Sequence, residues 1–440
     1  MPALLRSLHT AVPPTVLHQE RVRDALAAQP GLSRLGSRLV TAAFNASGIE
    51  RRHTVVREWE EGAQGEKEEQ EQPAHDAGRP APSDCAGDSG DSGDSGDQPG
   101  LFFEPDTGHI LNPSTGARNA VYAEHAGDLY ERAAAGALAD CPDLGTADVT
   151  HVITVSCTGF FSPGPDYQLV RRLGLPDTTK RIHLGFMGCY AALPALRDAA
   201  AICAAEPAAV VLVVSAELCT VHVRVANDQD TIVGASLFSD GAGAAVVTGA
   251  DRPVPAGGRP ALRLDGFATV LTPVGEDAMA WNIGDHGFEM ILGTYVPHII
   301  DEHITGALEP LFAADRAADP AGGPPLAERP YTELEHWAIH PGGRSILDKV
   351  QARLELSDAQ LVPARDTLRD YGNMSSATVL FVLQHILAGA GGGAADAGGA
   401  GAGGAGTGGA SSADGERVCA MAFGPGLTVE SALMTVVAPA

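Results

Sequence analysis

Long apolar runs are missing from this chain. A membrane-spanning helix needs about 18 or more consecutive apolar residues, and the stretch 208–214 is typical of the longest here. The opening MPALLRSLHTAVPP has one early Arg and no cleavage pattern, so no signal peptide is expected. The closing VVAPA carries no lipidation box. Positive charge is scarce: 29 Lys and Arg stand against 55 Asp and Glu, a formal charge of −26. Such a polyanion repels phosphate backbones and anionic lipid, which speaks against nucleic-acid and membrane-surface binding, and without a spanning run no stable membrane insertion is expected. The seven cysteines are odd in number and widely spaced, without a CxxC pair. They predict reduced thiols in a cytoplasmic enzyme, not a disulfide framework. His298, Glu302 and His303 lack zincin spacing, and no P-loop occurs, so neither a metal site nor a nucleotide cradle is expected.

What is present is a large apolar inventory. Of 440 residues, 44% are hydrophobic, enough for an extensive core. Two segments stand apart. Residues 58–100 hold 13 acidic residues against Lys67 and Arg79, include GDSGDSGDSGD, and have almost nothing apolar after Trp59. Residues 388–416 are Gly or Ala at 23 of 29 positions. Neither composition buries enough surface to offset its ordering entropy, so both are expected as disordered loop insertions.

The remainder alternates strand and helix signals. Residues 149–156, 209–215, 244–248 and 336–340 read as strands, with 418–423 and 428–437 as a closing pair around Gly424-Pro425-Gly426. Residues 191–205 and 377–387 read as helices. The mixture in both halves predicts a layered α/β architecture with covered sheets.

Three residues could carry chemistry. Cys189 follows Gly185 and Gly188 and precedes an Ala/Leu-rich helix. That places it on a strand-to-helix turn, where the helix dipole favours the thiolate. A buried structural cysteine is the other reading of the same local pattern. His340 ends a short apolar strand ahead of Pro-Gly-Gly, and His336 on that strand is the structural one. Asn373 sits in YGNMSSATVLFVL, where Ser375 or Ser376 would cap the next helix. Its amide suits an oxyanion, or it is only a turn residue. A thiol, an imidazole and an amide together fit acyl-thioester chemistry, but sequence does not show whether they meet in space.

CTGFFSPGPDYQLVRRLGL (157–175), GFMGCYAALPAL around Cys189, VGASLFSDGAGAAVV (233–247), HPGGRSILDKV, YGNMSSATVLFVL and AFGPGLTVE (422–430) carry a resemblance. In this order they resemble the type III polyketide synthases, the chalcone and stilbene synthase family. The resemblance implies a thiolase-like αβαβα fold of two similar halves, 1–249 carrying the nucleophile and 260–440 carrying His340 and Asn373. It implies an acyltransferase that loads an acyl-CoA starter on Cys189 and extends it with malonyl-CoA. Resident cofactors are not implied, and a homodimer is. Phe238 and Met290 fall on the family's gatekeeper positions. Cys157, His222, Trp281 and Ser375 fall on cavity positions, and Phe423 and Gly424 on the loop shaping the cyclisation pocket. Trp281, where Gly is usual, argues against chalcone as product. MAWNIGDHGFEMIL looks like the bacterial branch making alkylresorcinols and alkylpyrones from fatty acyl-CoA. The family's basic coenzyme A contacts fall near Leu39, Ala42 and Ala46, leaving Arg34, Arg38, Arg51, Arg52 and Arg344 as substitutes. A single-step 3-oxoacyl-carrier-protein synthase of the same fold is the alternative, and a non-catalytic scaffold the third reading.

Overall fold

The computed structural model describes residues 3–59, 100–104, 106–252, 254–255, 258–315, 324–390 and 414–439. In chain order its strands are β1 (Ala3–Ala11), β2 (Thr15–His18), β3 (Arg51–Thr54), β4 (His151–Ser156), β5 (Lys180–Gly185), β6 (Val210–Leu218), β7 (Asp240–Gly249), β8 (Ala261–Leu271), β9 (Met279–Gly284), β10 (Gly287–Leu292), β11 (His336–Ile339), β12 (Arg417–Gly424) and β13 (Thr428–Val437). Its helices are α1 (Gln19–Ala27), α2 (Arg34–Ala46), α3 (Thr115–Ala139), α4 (Pro165–Arg172), α5 (Ala192–Ala205), α6 (Gln229–Leu237), α7 (Val296–Ala314), α8 (Arg344–Leu354), α9 (Asp358–Tyr371) and α10 (Thr378–Ala390).

Nine strands form one sheet in the order β11-β12-β13-β8-β1-β7-β6-β4-β5. From β4 inward the pairings run parallel to β6, antiparallel to β7 and antiparallel to β1. From β11 inward they run parallel to β12, antiparallel to β13 and antiparallel to β8. The same pairing sequence thus occurs twice, and the β1–β8 pair joins the two units.

The period-2 geometry of a strand sends alternate side chains to opposite faces. On β6, Val210, Leu212 and Val214 enter one core cluster, while Val211 and Val213 enter the other. Both faces are therefore covered, which is why this strand is apolar at consecutive positions. One cluster lies under α3, which packs on β1, β6 and β7. The other encloses α5 and α10, which touch strands of both units. On the far side α7 packs against β8 and β13. The layers are helix, sheet, helix pair, sheet, helix, as in a thiolase-like fold.

The expected elements recur with shifted ends. The strand expected at 209–215 runs three residues further, to Leu218, which carries Glu217 into the interior. The insertion boundaries also differ from expectation. Glu58 accepts backbone hydrogen bonds from Leu101, Phe102 and Phe103 at 2.8–3.1 Å, and buried Trp59 meets Phe103 edge-on at 4.6 Å. Residues 388–390 belong to α10, and Glu416 bonds His336 at 2.8 Å, giving that histidine a structural contact. Residues 58–59, 100, 388–390 and 414–416 are thus part of the folded body, while the rest of both expected insertions lies outside the described residues. Among the described residues no helix is long and apolar enough to cross a membrane.

Candidate active site

Cys189 lies in the turn between β5 and α5, three residues before the first helical residue. The turn is tight. Phe186 has φ +60° and Gly188 φ +85°. A Cβ at position 188 would lie 2.6 Å from Pro425, so glycine is required both for φ and for space. His340 follows β11, its N–H donating to Met421 at 2.8 Å to extend the ladder by one rung. Asn373 sits between α9 and α10. Its Oδ1 accepts from the Ser375 N–H at 2.9 Å, and its Nδ2 donates to the Gly342 carbonyl at 3.3 Å.

The three side chains line one cavity of about 600 Å³, open mouth included. Cys157, Phe238, Trp281, Met290, Ser375 and Phe423 line it too. His340 is 1% exposed, and neither ring nitrogen has a hydrogen-bond partner among the described residues. Burial lowers its pKa to about 3, so the imidazole is neutral near pH 7. Burial also pushes the Cys189 thiol up to about 11, against hydrogen bonds from Ser375 and Asn373 that favour the thiolate. The sequence predicted the opposite direction from the helix dipole. With the thiol outside the helix's first turn, loss of water outweighs the dipole.

Behind the thiol lies a network that sequence reasoning missed. Glu217 is fully buried at the end of β6. Its carboxylate accepts from the Cys157 N–H at 3.0 Å, Thr158 Oγ1 at 2.8 Å, Ser156 Oγ at 3.2 Å and Cys157 Sγ at 3.3 Å, and from Ser376 Oγ. Burial raises its pKa, and these donors act in the other direction. Cys157 Sγ also meets Ser375 Oγ at 3.2 Å, with Ser375 held at φ +47°. A signal existed: an acidic residue closing a continuous apolar strand has few other places to go. Nor do the serines cap α10 as expected. Ser376 turns to Glu217, and Thr378 Oγ1 accepts the Met374 N–H instead.

One wall is aromatic. Trp281, on β9 opposite Met290 of β10, donates Nε1–H to the Cys157 carbonyl at 2.8 Å. Its ring meets Phe238, Phe288 and His222 with centroids 5.9–6.3 Å apart. His222 is not among the residues lining the main cavity. It lines a second, smaller cavity of about 390 Å³, open mouth included, that shares Cys219, Phe238, Trp281 and Met290 with the first. His222 stacks on Phe288 at 4.2 Å; Nε2 donates to the Thr158 carbonyl at 2.7 Å, and Nδ1 accepts the Phe288 N–H at 3.1 Å. With both nitrogens engaged and a pKa lowered to about 3 by burial, it is a neutral brace behind Trp281. Gly424 is likewise absent from the main lining and packs on Tyr190, where a Cβ would come within 2.4 Å.

Of the arginines considered for phosphate contacts, Arg52 is buried and unavailable. Arg34, Arg38, Arg51 and Arg344 are exposed, with Arg51 paired to Asp370 at 2.8 Å and Arg344 to Asp348 at 3.7 Å.

Known proteins resemble this chain in sequence and in fold. The family description "Chalcone and stilbene synthases, N-terminal domain" matches residues 101–252, and its C-terminal counterpart matches 267–438. The chain is 32% identical over 324 residues to bisdemethoxycurcumin synthase of Oryza sativa subsp. japonica, covering 73% of this chain and 74% of that one. Among solved structures, PKS-I of the brown alga Ectocarpus siliculosus superposes with a TM-score of 0.77 at 23% identity, over 99% of this chain and 98% of that chain. The C-terminal type III polyketide synthase domain of Steely1, a type I/III hybrid from Dictyostelium, superposes at 0.76 with 22% identity over 100% of both chains. Those two likenesses concern the fold. The two family domains and the 32% identity together show that the chain belongs to the chalcone and stilbene synthases, the type III polyketide synthases.

Proposed function

We propose that this protein loads an acyl-CoA starter on Cys189, extends it by decarboxylative condensation with malonyl-CoA and cyclises the product to an alkylpyrone or alkylresorcinol. The observation that carries the proposal is the meeting of thiol, unpartnered imidazole and carboxamide in one largely apolar cavity. The Cys189 thiolate attacks the starter thioester, forming the acyl–sulfur bond and expelling coenzyme A as its thiolate, which takes the proton that His340 received from Cys189 and leaves the imidazole neutral. Malonyl-CoA then loses CO₂. The electron pair left behind is held as an enolate, its oxygen accepting from the neutral His340 N–H and the Asn373 amide. Enolate attack on the acyl carbonyl forms the carbon–carbon bond and releases the Cys189 thiolate. Coenzyme A thioesters enter as substrates, and the scheme invokes no resident cofactor. A cytoplasmic homodimer belongs to the same reading; for the dimer, edge strand β5 with Ile182 exposed offers a pairing surface.

Burial keeps the thiol and the imidazole neutral when each is considered alone. Passing the thiol proton to His340 ionises both at once and leaves the cavity's net charge unchanged. His340→Gln removes the proton acceptor, so the thiol keeps its burial-raised pKa. Below about 11 its thiolate fraction rises tenfold per pH unit. Iodoacetamide labelling of Cys189 in His340→Gln is therefore expected to climb about tenfold per unit from pH 7 to 9, and the wild-type profile to be flatter. Parallel profiles would remove His340 from the proton-accepting role.

The proposal is tested by incubating the enzyme with malonyl-CoA and acyl-CoA starters of six to sixteen carbons, followed by mass spectrometry. Pyrone or resorcinol masses spaced by two-carbon units are expected. Strict dependence on an acyl carrier protein, with one extension only, would instead favour a 3-oxoacyl-carrier-protein synthase.

A further inference from the structure

We propose that Arg52 is a positioning residue that locks the gatekeeper Phe238 and the amide of Asn373 into one unit. The inference rests on the reading of Asn373 as an enolate donor. Arg52 comes from β3, in the two-stranded β2–β3 sheet outside the central one. It is only 1% exposed. Its Nη1 donates to the carbonyls of Ala235 and Phe238, both at 2.8 Å. These carbonyls close the C-terminal end of α6, where backbone acceptors lack helical partners and a cation is favoured.

The residue on the other side of Arg52 is Gly372. A Cβ there would lie 3.0 Å from Arg52 Cγ and 3.2 Å from Cδ, and Gly372 has φ +71°. The arginine stem therefore lies against the backbone that leads directly into Asn373. Phe238 and Asn373 are themselves joined in a parallel bridge. The Asn373 N–H donates to the Leu237 carbonyl at 2.9 Å, and the Ser239 N–H donates to the Asn373 carbonyl at 3.0 Å. Arg52 thus touches both sides of the bridge that carries the gate and the triad amide. Residues following it reinforce the contact: His53 exchanges two hydrogen bonds with Ser239 Oγ, and the N–H of Val55, just beyond the strand, donates to Asp240.

Packing alone does not account for a cation here. The Arg52 guanidinium carbon lies 5.4 Å from the centroid of the Phe44 ring, but Nε and Nη2 are buried without hydrogen-bond partners among the described residues. Asp240 attracts it only through space, because that carboxylate is taken by Val55 and by the N–H and hydroxyl of Thr220. Unpaired buried donors destabilise a fold, and an apolar side chain of similar length would avoid them. What such a side chain cannot do is hold two carbonyls at once. The guanidinium sets the end of α6, and through the bridge it sets the carboxamide of Asn373.

The test compares Arg52→Met and Arg52→Lys with the wild type in three measurements: malonyl-CoA decarboxylation, iodoacetamide labelling of Cys189, and thermal unfolding. Arg52→Met keeps the stem and loses both hydrogen bonds. Its decarboxylation kcat is expected to fall at least tenfold, with a smaller change in KM and with Cys189 labelling within twofold of wild type. Arg52→Lys, able to reach one carbonyl, is expected to recover part of the loss. A folded Arg52→Met with wild-type kcat, or one losing labelling and decarboxylation in equal proportion, overturns the inference. Should Arg52→Met not fold, Arg52→Lys decides alone, and an unchanged kcat in it overturns the inference. A wild-type enzyme that does not decarboxylate malonyl-CoA overturns the underlying reading of Asn373, a result the variants cannot mimic.

Discussion

Cys189→Ala is expected to lower formation of chain-extended products by about 10³-fold or more while malonyl-CoA decarboxylation persists within roughly tenfold of wild type. The two activities separate because they use different atoms. Chain building needs a sulfur to hold the growing acyl group. In the proposed mechanism decarboxylation needs only the neutral donors of His340 and Asn373, which follow β11 and sit in the α9–α10 turn, each anchored by hydrogen bonds that do not involve the thiol. Removing Sγ frees Ser375 Oγ of one neighbour, but leaves its contact with Cys157 Sγ. The fold should therefore survive, and intact unfolding behaviour is part of the expected result. Product formation by Cys189→Ala at the wild-type rate would mean that another nucleophile carries the chain. Loss of both activities in a folded variant would mean that the sulfur also orders the donors.

Trp281→Gly is expected to change which products form. An aromatic ring of this kind covers roughly 150–250 Å² of wall. Its removal would open the main cavity toward the neighbouring one, since Trp281 is a wall of both, with Cys219, Phe238 and Met290. Products longer by at least one two-carbon unit, or cyclised differently, should appear in the mass spectrum. The same change leaves the Cys157 carbonyl without its Nε1–H donor and removes ring contacts with Phe238, Phe288 and His222. Some loss of stability is the expected cost, below that of truncating a fully buried aromatic because Trp281 is only half-buried. Trp281→Phe separates the two effects: it loses the hydrogen bond but keeps most of the bulk, so its product profile should stay near wild type. An unchanged profile in Trp281→Gly would show that the wall does not limit the chain.

Several elements were readable before any coordinates. Strands β6, β12 and β13 and helices α5 and α10 follow from periodicity and β-branched content, because those preferences act between residues a few positions apart. The turn glycine before Cys189 was equally visible, since a backbone bend is a local demand. Resemblance to the family then supplied the pairing of Cys189, His340 and Asn373, which no local rule contains.

Errors arose where distant residues compete for the same group. Ser375 and Ser376 look like helix caps, yet Cys157 and Glu217 reach them from more than 150 positions away. His222 looks like a residue of the main cavity, yet two backbone partners and Phe288 hold it in the neighbouring one as a brace. Arg52 looks like a free cation, yet the end of α6 takes it inside. Residue order alone therefore specified the most strongly patterned strands and helices and the chemical types at the turns, because short-range backbone preferences depend only on near neighbours. Which thiol stays protonated, which histidine is left without partners and where the cavity is walled were settled by folding. Those properties depend on water removed and on partners brought together by the complete fold, and neither quantity exists in the unfolded chain.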